Sequence, residues 1–290
     1  MNTLRLCVLL ALFPVMLAAQ QRPVAPVAVA APVLATEADL SYKIRTGLSF
    51  TLDIDTSVDS GYGKWDATAS IEVRCAKTDK QGTATISMTV QRYREFNKSG
   101  GDTVSFDTLK DTSKGEDEEL TKVRAIVNKV IGSAYLEKDG RMHRVIWSEE
   151  GQTLWKEGGG SHFELLRDSI ERAILRLPGK PVAVGTTWEE ERHPIGDQFP
   201  FALKLTHKLV SFDPKSGRAV IELAAAPEAG KSAMMVSKMT TKAYSEQVVF
   251  DCNEGKLLSS EMKGAFKAVF GEGDFRTEAD YDWKVKISTR

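Results

Sequence analysis

The chain is expected to be α+β and mostly antiparallel β: an internally duplicated curved sheet, half-barrel or barrel-like, with one or two amphipathic helices packed on it. Three observations carry this. Long stretches alternate apolar and polar residues, as Trp65, Ala67, Ala69, Ile71, Val73 and Cys75 do, which is the period of a strand with one face buried. Turn signals such as Asp139-Gly140 and Asp213-Pro214-Lys215-Ser216-Gly217 separate them. The order of strands and turns met before Leu177 also recurs after Trp188.

In chain order, Arg5, the apolar run Leu6 to Leu17 and the small residues Ala18-Ala19 have the layout of a secretory signal over residues 1–19. The run of about 12 apolar residues is shorter than the roughly 20 that cross a bilayer. A cleaved signal places the protein in the periplasm or outside the cell, with no transmembrane segment in the mature chain. Residues 20–39, with Pro23, Pro26 and Pro32 among Ala and Val, read as a disordered tether. Residues 40–290 then form one β-rich domain of two similar halves, 40–147 and 185–290, joined by a helical segment, 148–184.

In the first half, strand patterns run through Tyr42, Ile44, Phe50, Leu52 and Ile54, and through Trp65 to Cys75. A hairpin turns at Asp79 to Gly82 and returns with Ala84, Ile86, Met88 and Val90 on one face. Glu116 to Glu119 precede Leu120, Val123, Val127 and Val130 at helical spacing, and first-turn acids suit the helix dipole. A second hairpin turns at Asp139-Gly140. The clearest helical pattern opens on a capping box, Ser161 with Glu164, runs through Phe163, Leu166, Ile170, Ala173, Ile174 and Leu177, and stops at Pro178. In the second half, Gly185-Thr186-Thr187-Trp188 echoes Gly47-Leu48-Ser49-Phe50, a hairpin around Gly217 echoes the one around Gly82, and Asn253-Glu254-Gly255 echoes Asp139-Gly140. This predicts Trp188 as the counterpart of Phe50, buried near the centre of one sheet.

Composition limits the partners. The 290 residues carry a formal net charge of -1, without the basic footprint that nucleic acid demands. Of three cysteines, Cys7 leaves with the signal. Cys75 and Cys252 remain, either as a disulfide between the halves or as two buried thiols. The four histidines, His143, His162, His193 and His207, form no His-x-x-x-His pair and there is no Cys-x-x-Cys, so no metal site is expected. Glu189-Glu190-Glu191 reads as a charged strand end. No nucleophile elbow is present. No catalytic residue and no cofactor are expected, and the chain is read as a non-enzyme.

Gly47-x-x-Phe50, Asp79-Lys-Gln-Gly-Thr-Ala-Thr-Ile86, Asp139-Gly140 and above all Leu177-Pro-Gly-Lys-Pro-Val-Ala-Val-Gly-Thr-Thr-Trp188 resemble a bacterial exported family of unknown function, over about Leu40 to Arg290. In architecture, two β halves around a helix are similar to periplasmic lipoprotein carriers of the LolA and LppX type. That likeness implies a curved sheet that cradles lipid and carries over no site residue.

Two functions follow. In one, the sheet stays open and its concave side, lined by Ile86, Met88, Phe201, Leu203, Phe266 and Phe270, holds an apolar ligand such as a lipid acyl chain. In the other, the core is filled and the chain is a structural or interaction module that binds an envelope protein.

Overall fold

The computed structural model describes residues 37–290, except 62, 111–117, 150–151, 153–172, 193–200, 233–235 and 272–275. The signal, most of the tether and most of the helix expected from Ser161 lie outside the described residues.

The two-residue period becomes strand almost wherever it occurs. β1 (Glu37–Leu40) is followed by the long strands β2 (Ser49–Asp59), β3 (Gly63–Thr78) and β4 (Ala84–Ser99), then β5 (Asp102–Asp107). The helix α1 (Glu118–Ala125) precedes the hairpin of β6 (Val130–Leu136) and β7 (Met142–Trp147). After Leu177 come β8 (Lys180–Ala183), β9 (Thr187–Arg192), β10 (Phe201–Asp213), β11 (Arg218–Ser232), β12 (Val236–Asp251), β13 (Lys256–Phe270) and β14 (Thr277–Thr289). Twelve strands form one antiparallel sheet in the order β7-β6-β4-β3-β2-β14-β13-β12-β11-β10-β9, with β5 on the far part of β4. The sheet is curved and does not close. β1 and β8 form a separate two-stranded sheet.

The halves meet at β2 and β14, where the register runs from Asp282↔Asp59 to Thr289↔Leu52 and the backbones of Thr51 and Arg290 exchange hydrogen bonds of 2.9 and 3.0 Å. The first long strand of the chain therefore stands at the middle of the sheet, and β9, the first strand of the second half, is an outer edge. Trp188 is accordingly half-buried on an edge strand rather than central, and only Phe50 has the central place.

Two further expectations are corrected. Glu37 to Asp39, assigned to the tether, pair with Ala183, Val182 and Pro181, so they and the segment after Pro178 are strands. The helix over 120–130 ends at Ala125; Asn128 takes a positive φ of 61°, the left-handed conformation that stops helices, and Val130 starts β6. The end of β5 is held by α1 through Arg124 Nη1, which donates to Asp107 O at 3.1 Å and Thr108 O at 3.2 Å.

Adjacent residues tie the two halves together at one end. Tyr42 N–H donates to Lys138 O (2.8 Å) in the β6–β7 turn, and Lys43 N–H donates to Gly255 O (3.2 Å) in the β12–β13 turn. These are the turns that the sequence pairs with each other. Tyr42 also accepts Leu175 N–H on its hydroxyl at 2.8 Å and meets Phe250 edge-on, so the chain from Ala173 to Leu177 is pinned to the same point.

Asp107 is buried at the end of β5. Burial pushes its carboxyl up, but Arg92, bonding it at 2.7 and 3.3 Å, and the Leu109 N–H outweigh this and hold it below the usual carboxylate value. A depressed folded pKa stabilises above the unfolded value, near 4, and the stability is lost as pH falls through the folded one. Asp107→Asn is therefore expected to cost about 1 kcal/mol at neutral pH and to flatten the loss of stability between about pH 5 and 3. Chemical denaturation across that range checks it; an unchanged acid limb would contradict the assignment.

Candidate functional site

The inward residues of all long strands make one face, and the register divides it in two. Trp188, His207, Leu223, Glu246, Met262, Val285, Thr56, Ala67, Glu95 and Phe106 are successive cross-strand partners, a row that spans the sheet. Four of these are polar and buried: His207, Glu246, Thr56 and Glu95. A buried polar group needs partners. Glu246 accepts the hydroxyls of Tyr244 and, at 3.1 Å, Ser260, and Glu95 accepts the Tyr93 hydroxyl at 2.7 Å. The row is a polar belt across an otherwise apolar surface.

At one end of the belt, Trp188 and His207 stack, with ring centroids 5.2 Å apart and 13° between planes, and Trp188 Nε1 donates to Arg176 O at 2.9 Å. Glu190 Oε2 lies 2.9 Å from His207 Nε2, close enough for an ionic contact but off the line of a hydrogen bond. Glu190 thus turns inward from the acidic strand, and with Glu189, Glu191, Arg176 and the Gly140–Met142 turn it lines a cleft of about 450 Å³. Among the described residues no serine or cysteine is hydrogen-bonded to His207. Among the described residues no group of His, Cys, Asp and Glu is placed to hold a metal.

On the side of the belt toward the turns that Tyr42 and Lys43 bridge, the face is sealed. Ile86 and Met88 lie here, each 1% exposed, in the core cluster that also takes Leu120 and Val123 of α1, Ile126 just after it, and Ala173, Ile174, Leu175 and Leu177. Across the belt it is only partly covered. Leu203 and Phe266 are buried, but Phe270, Met239, Tyr244, Tyr281 and Ala225 are half-buried residues packed against the core. The side chain of Phe201 lies outside the described residues, as do Met234 and Met235. Of the six lining residues expected, two are thus core on the sealed side, and Leu203, Phe266 and Phe270 stand on the open side.

Local sequence shapes this open end. Phe266, Ala268 and Phe270 alternate inward on β13, facing Tyr281, Ala279 and Thr277 of β14. Gly264 leaves room for a ring: a Cβ there would come within 2.3 Å of the Phe266 ring, which therefore lies along the strand. The ring of Tyr244 is 6.4 Å from that of Phe266, so the two form one aromatic patch.

Beside this patch the sheet is split. β11 and β12 pair only from Arg218↔Asp251 to Leu223↔Glu246, the belt row, and beyond it β11 pairs with β10 alone and β12 with β13 alone. A cleft of about 690 Å³ borders the last rung, lined by Leu223, Tyr244 and Glu246 and by outer-face residues of the paired strands such as Glu222, Gln247 and Glu261. Sequence reading missed both belt and split, although each left a signal. Glu246 and Glu95 sit at inward positions of alternating runs, and Pro227, which lacks a ladder N–H, stands in β11.

Cys75 and Cys252 are both buried free thiols, so the disulfide weighed from the sequence is not formed here. Cys75 Sγ lies 3.4 Å from Lys77 O, and burial pushes the Cys252 thiol up to about 11. Such a thiol is almost wholly protonated at neutral pH and is a poor nucleophile. No described helix is long and apolar enough to cross a membrane.

No family model and no curated protein matches the chain. Among solved structures it is similar to lipovitellin, reported for its lipid–protein interactions, at 10% identity and a TM-score of 0.48 over 83% of this chain and 25% of that one. It therefore spans a quarter of lipovitellin's length. It is also similar to an outer membrane lipoprotein-sorting protein domain from Vibrio parahaemolyticus, at 7% identity and a TM-score of 0.17 over 83% and 84% of the two chains. At such scores neither likeness says what this chain binds.

Proposed function

We propose that this chain is a non-enzymatic exported binding protein that holds an apolar ligand, such as a lipid acyl chain, on the open part of its concave face. The observation that carries the reading is the patch of Phe270, Tyr281, Tyr244 and Met239, which continues the core surface yet stays half-covered. A soluble chain that leaves aromatic and methionine side chains contiguous with its core but open to solvent has a surface for apolar contact. The polar belt sets the inner limit of that surface, because an acyl chain crossing it would strip Glu246 or Glu95 of their surroundings without replacing any hydrogen bond. The signal-like residues 1–19 support export.

Native mass spectrometry of protein purified from an exporting bacterial host tests this. Retained species of lipid mass, displaced by a fluorescent fatty acid, are expected. A clean apo mass together with no fatty-acid binding would sink the reading. It would favour the alternative of an envelope interaction module, for which the edge strand β7 offers exposed Val145 and Ile146.

A further inference from the structure

We infer that the split between β11 and β12 is a side entrance to the open apolar face, and that it opens and closes by unzipping and zipping one hairpin ladder. The inference rests on the ligand reading above.

Four observations place the entrance. The last rung, Leu223↔Glu246, lies on the belt row, so the gap begins where the sealed core ends. No described residue past that rung pairs across the gap, although β11 continues to Ser232 and β12 starts at Val236. Each strand keeps its other neighbour, with Leu205↔Ala225 on one side and Tyr244↔Gly264 on the other, so both walls stay ordered while the slot between them is empty of ladder bonds. A cleft at the last rung brings outer-face Glu222, Ser245 and Gln247 beside inward Leu223 and Tyr244, so the mouth of the gap is open to solvent and borders the aromatic patch.

The composition suits a joint that moves. Ala224, Ala225 and Ala226 have no bulk to lock across the gap, and Pro227 cannot donate to a closed ladder. Backbone groups in the slot are solvated when it is open and paired when it is closed, and because these two states differ little in free energy per rung, the equilibrium is easily shifted. A flexible acyl chain can pass such a slot edge-on, while the head group stays with the polar residues at its mouth.

In a continued register Ala226 faces Ala243, and both are exposed. The test uses the full mature chain with Ala226→Cys and Ala243→Cys, delipidated, in oxidised and reduced forms of the same preparation. Uptake of a fluorescent fatty acid is followed by stopped flow. The oxidised form is expected to take up ligand at least 10-fold more slowly, with the wild-type rate restored on reduction. Equal rates in both forms, with the bridge verified by mass, would overturn the entrance. Failure of the pair to bridge under oxidation would overturn it too, since the strands then do not close in this register. If neither the wild type nor the reduced variant binds any acyl chain, it is the ligand reading that fails instead.

Discussion

Gly140→Ala is expected to lower stability by roughly 3 kcal/mol, although it adds one methyl group to a hairpin turn. Gly140 has φ +81°, where an L side chain is already strained, and a Cβ there would lie 2.1 Å from the Leu175 carbonyl oxygen and 3.0 Å from the Tyr42 ring. The oxygen cannot simply move aside. Leu175 N–H is bonded to the Tyr42 hydroxyl and Leu177 N–H to Asp139 O at 2.9 Å, so the turn, the chain at Tyr42 and the segment from Leu175 to Leu177 form one clamp. For a folded unit of this size the loss corresponds to about 10 °C in melting temperature. Calorimetry of the variant measures it, and a shift of under about 2 °C would mean that the clamp is looser than the distances imply.

The second large effect separates binding from folding. Phe270→Asp and Tyr281→Asp are each expected to weaken acyl-chain binding by roughly 100-fold, equivalent to about 3 kcal/mol, because a carboxylate at the patch must be desolvated by the ligand. Both side chains are half-exposed in the unliganded protein, so the carboxylates remain hydrated there and the fold is expected to survive. Phe266 is the wrong residue for this test. It is fully buried over Gly264, and a charge there would unfold the sheet before binding could be measured. Titration with a fluorescent fatty acid, alongside circular dichroism, decides the matter; unchanged affinity in both variants would place the ligand elsewhere.

Much of the fold was legible because its signals are local. Alternation marks β3 to within a few residues and the start of β4, though β4 runs on past Val90 to Ser99, and Asp139-Gly140 marks the β6–β7 turn, since side chains on a strand must point alternately to core and solvent. The candidate site was less legible. Ile86 and Phe270 have the same inward phase and the same apolar character, yet one is sealed and the other is half-open. Nothing in either neighbourhood distinguishes them, because the difference lies in which part of the sheet is covered. His207, Glu246 and Glu95 were visible as polar residues at inward positions, but their common row follows only from the register of nine consecutive strand pairs.

By itself, then, the sequence determined where strands begin and turn and that one face of each is apolar, because those properties depend on residues close together in the chain. The strand order was decided only by tertiary structure: β2 lies against β14, which puts Phe50 at the centre and Trp188 on an edge. So were the open outline of the sheet and the split past Leu223↔Glu246. Each is a choice among distant partners that local patterns permit equally, and it is settled by packing and by which backbone edges find one another.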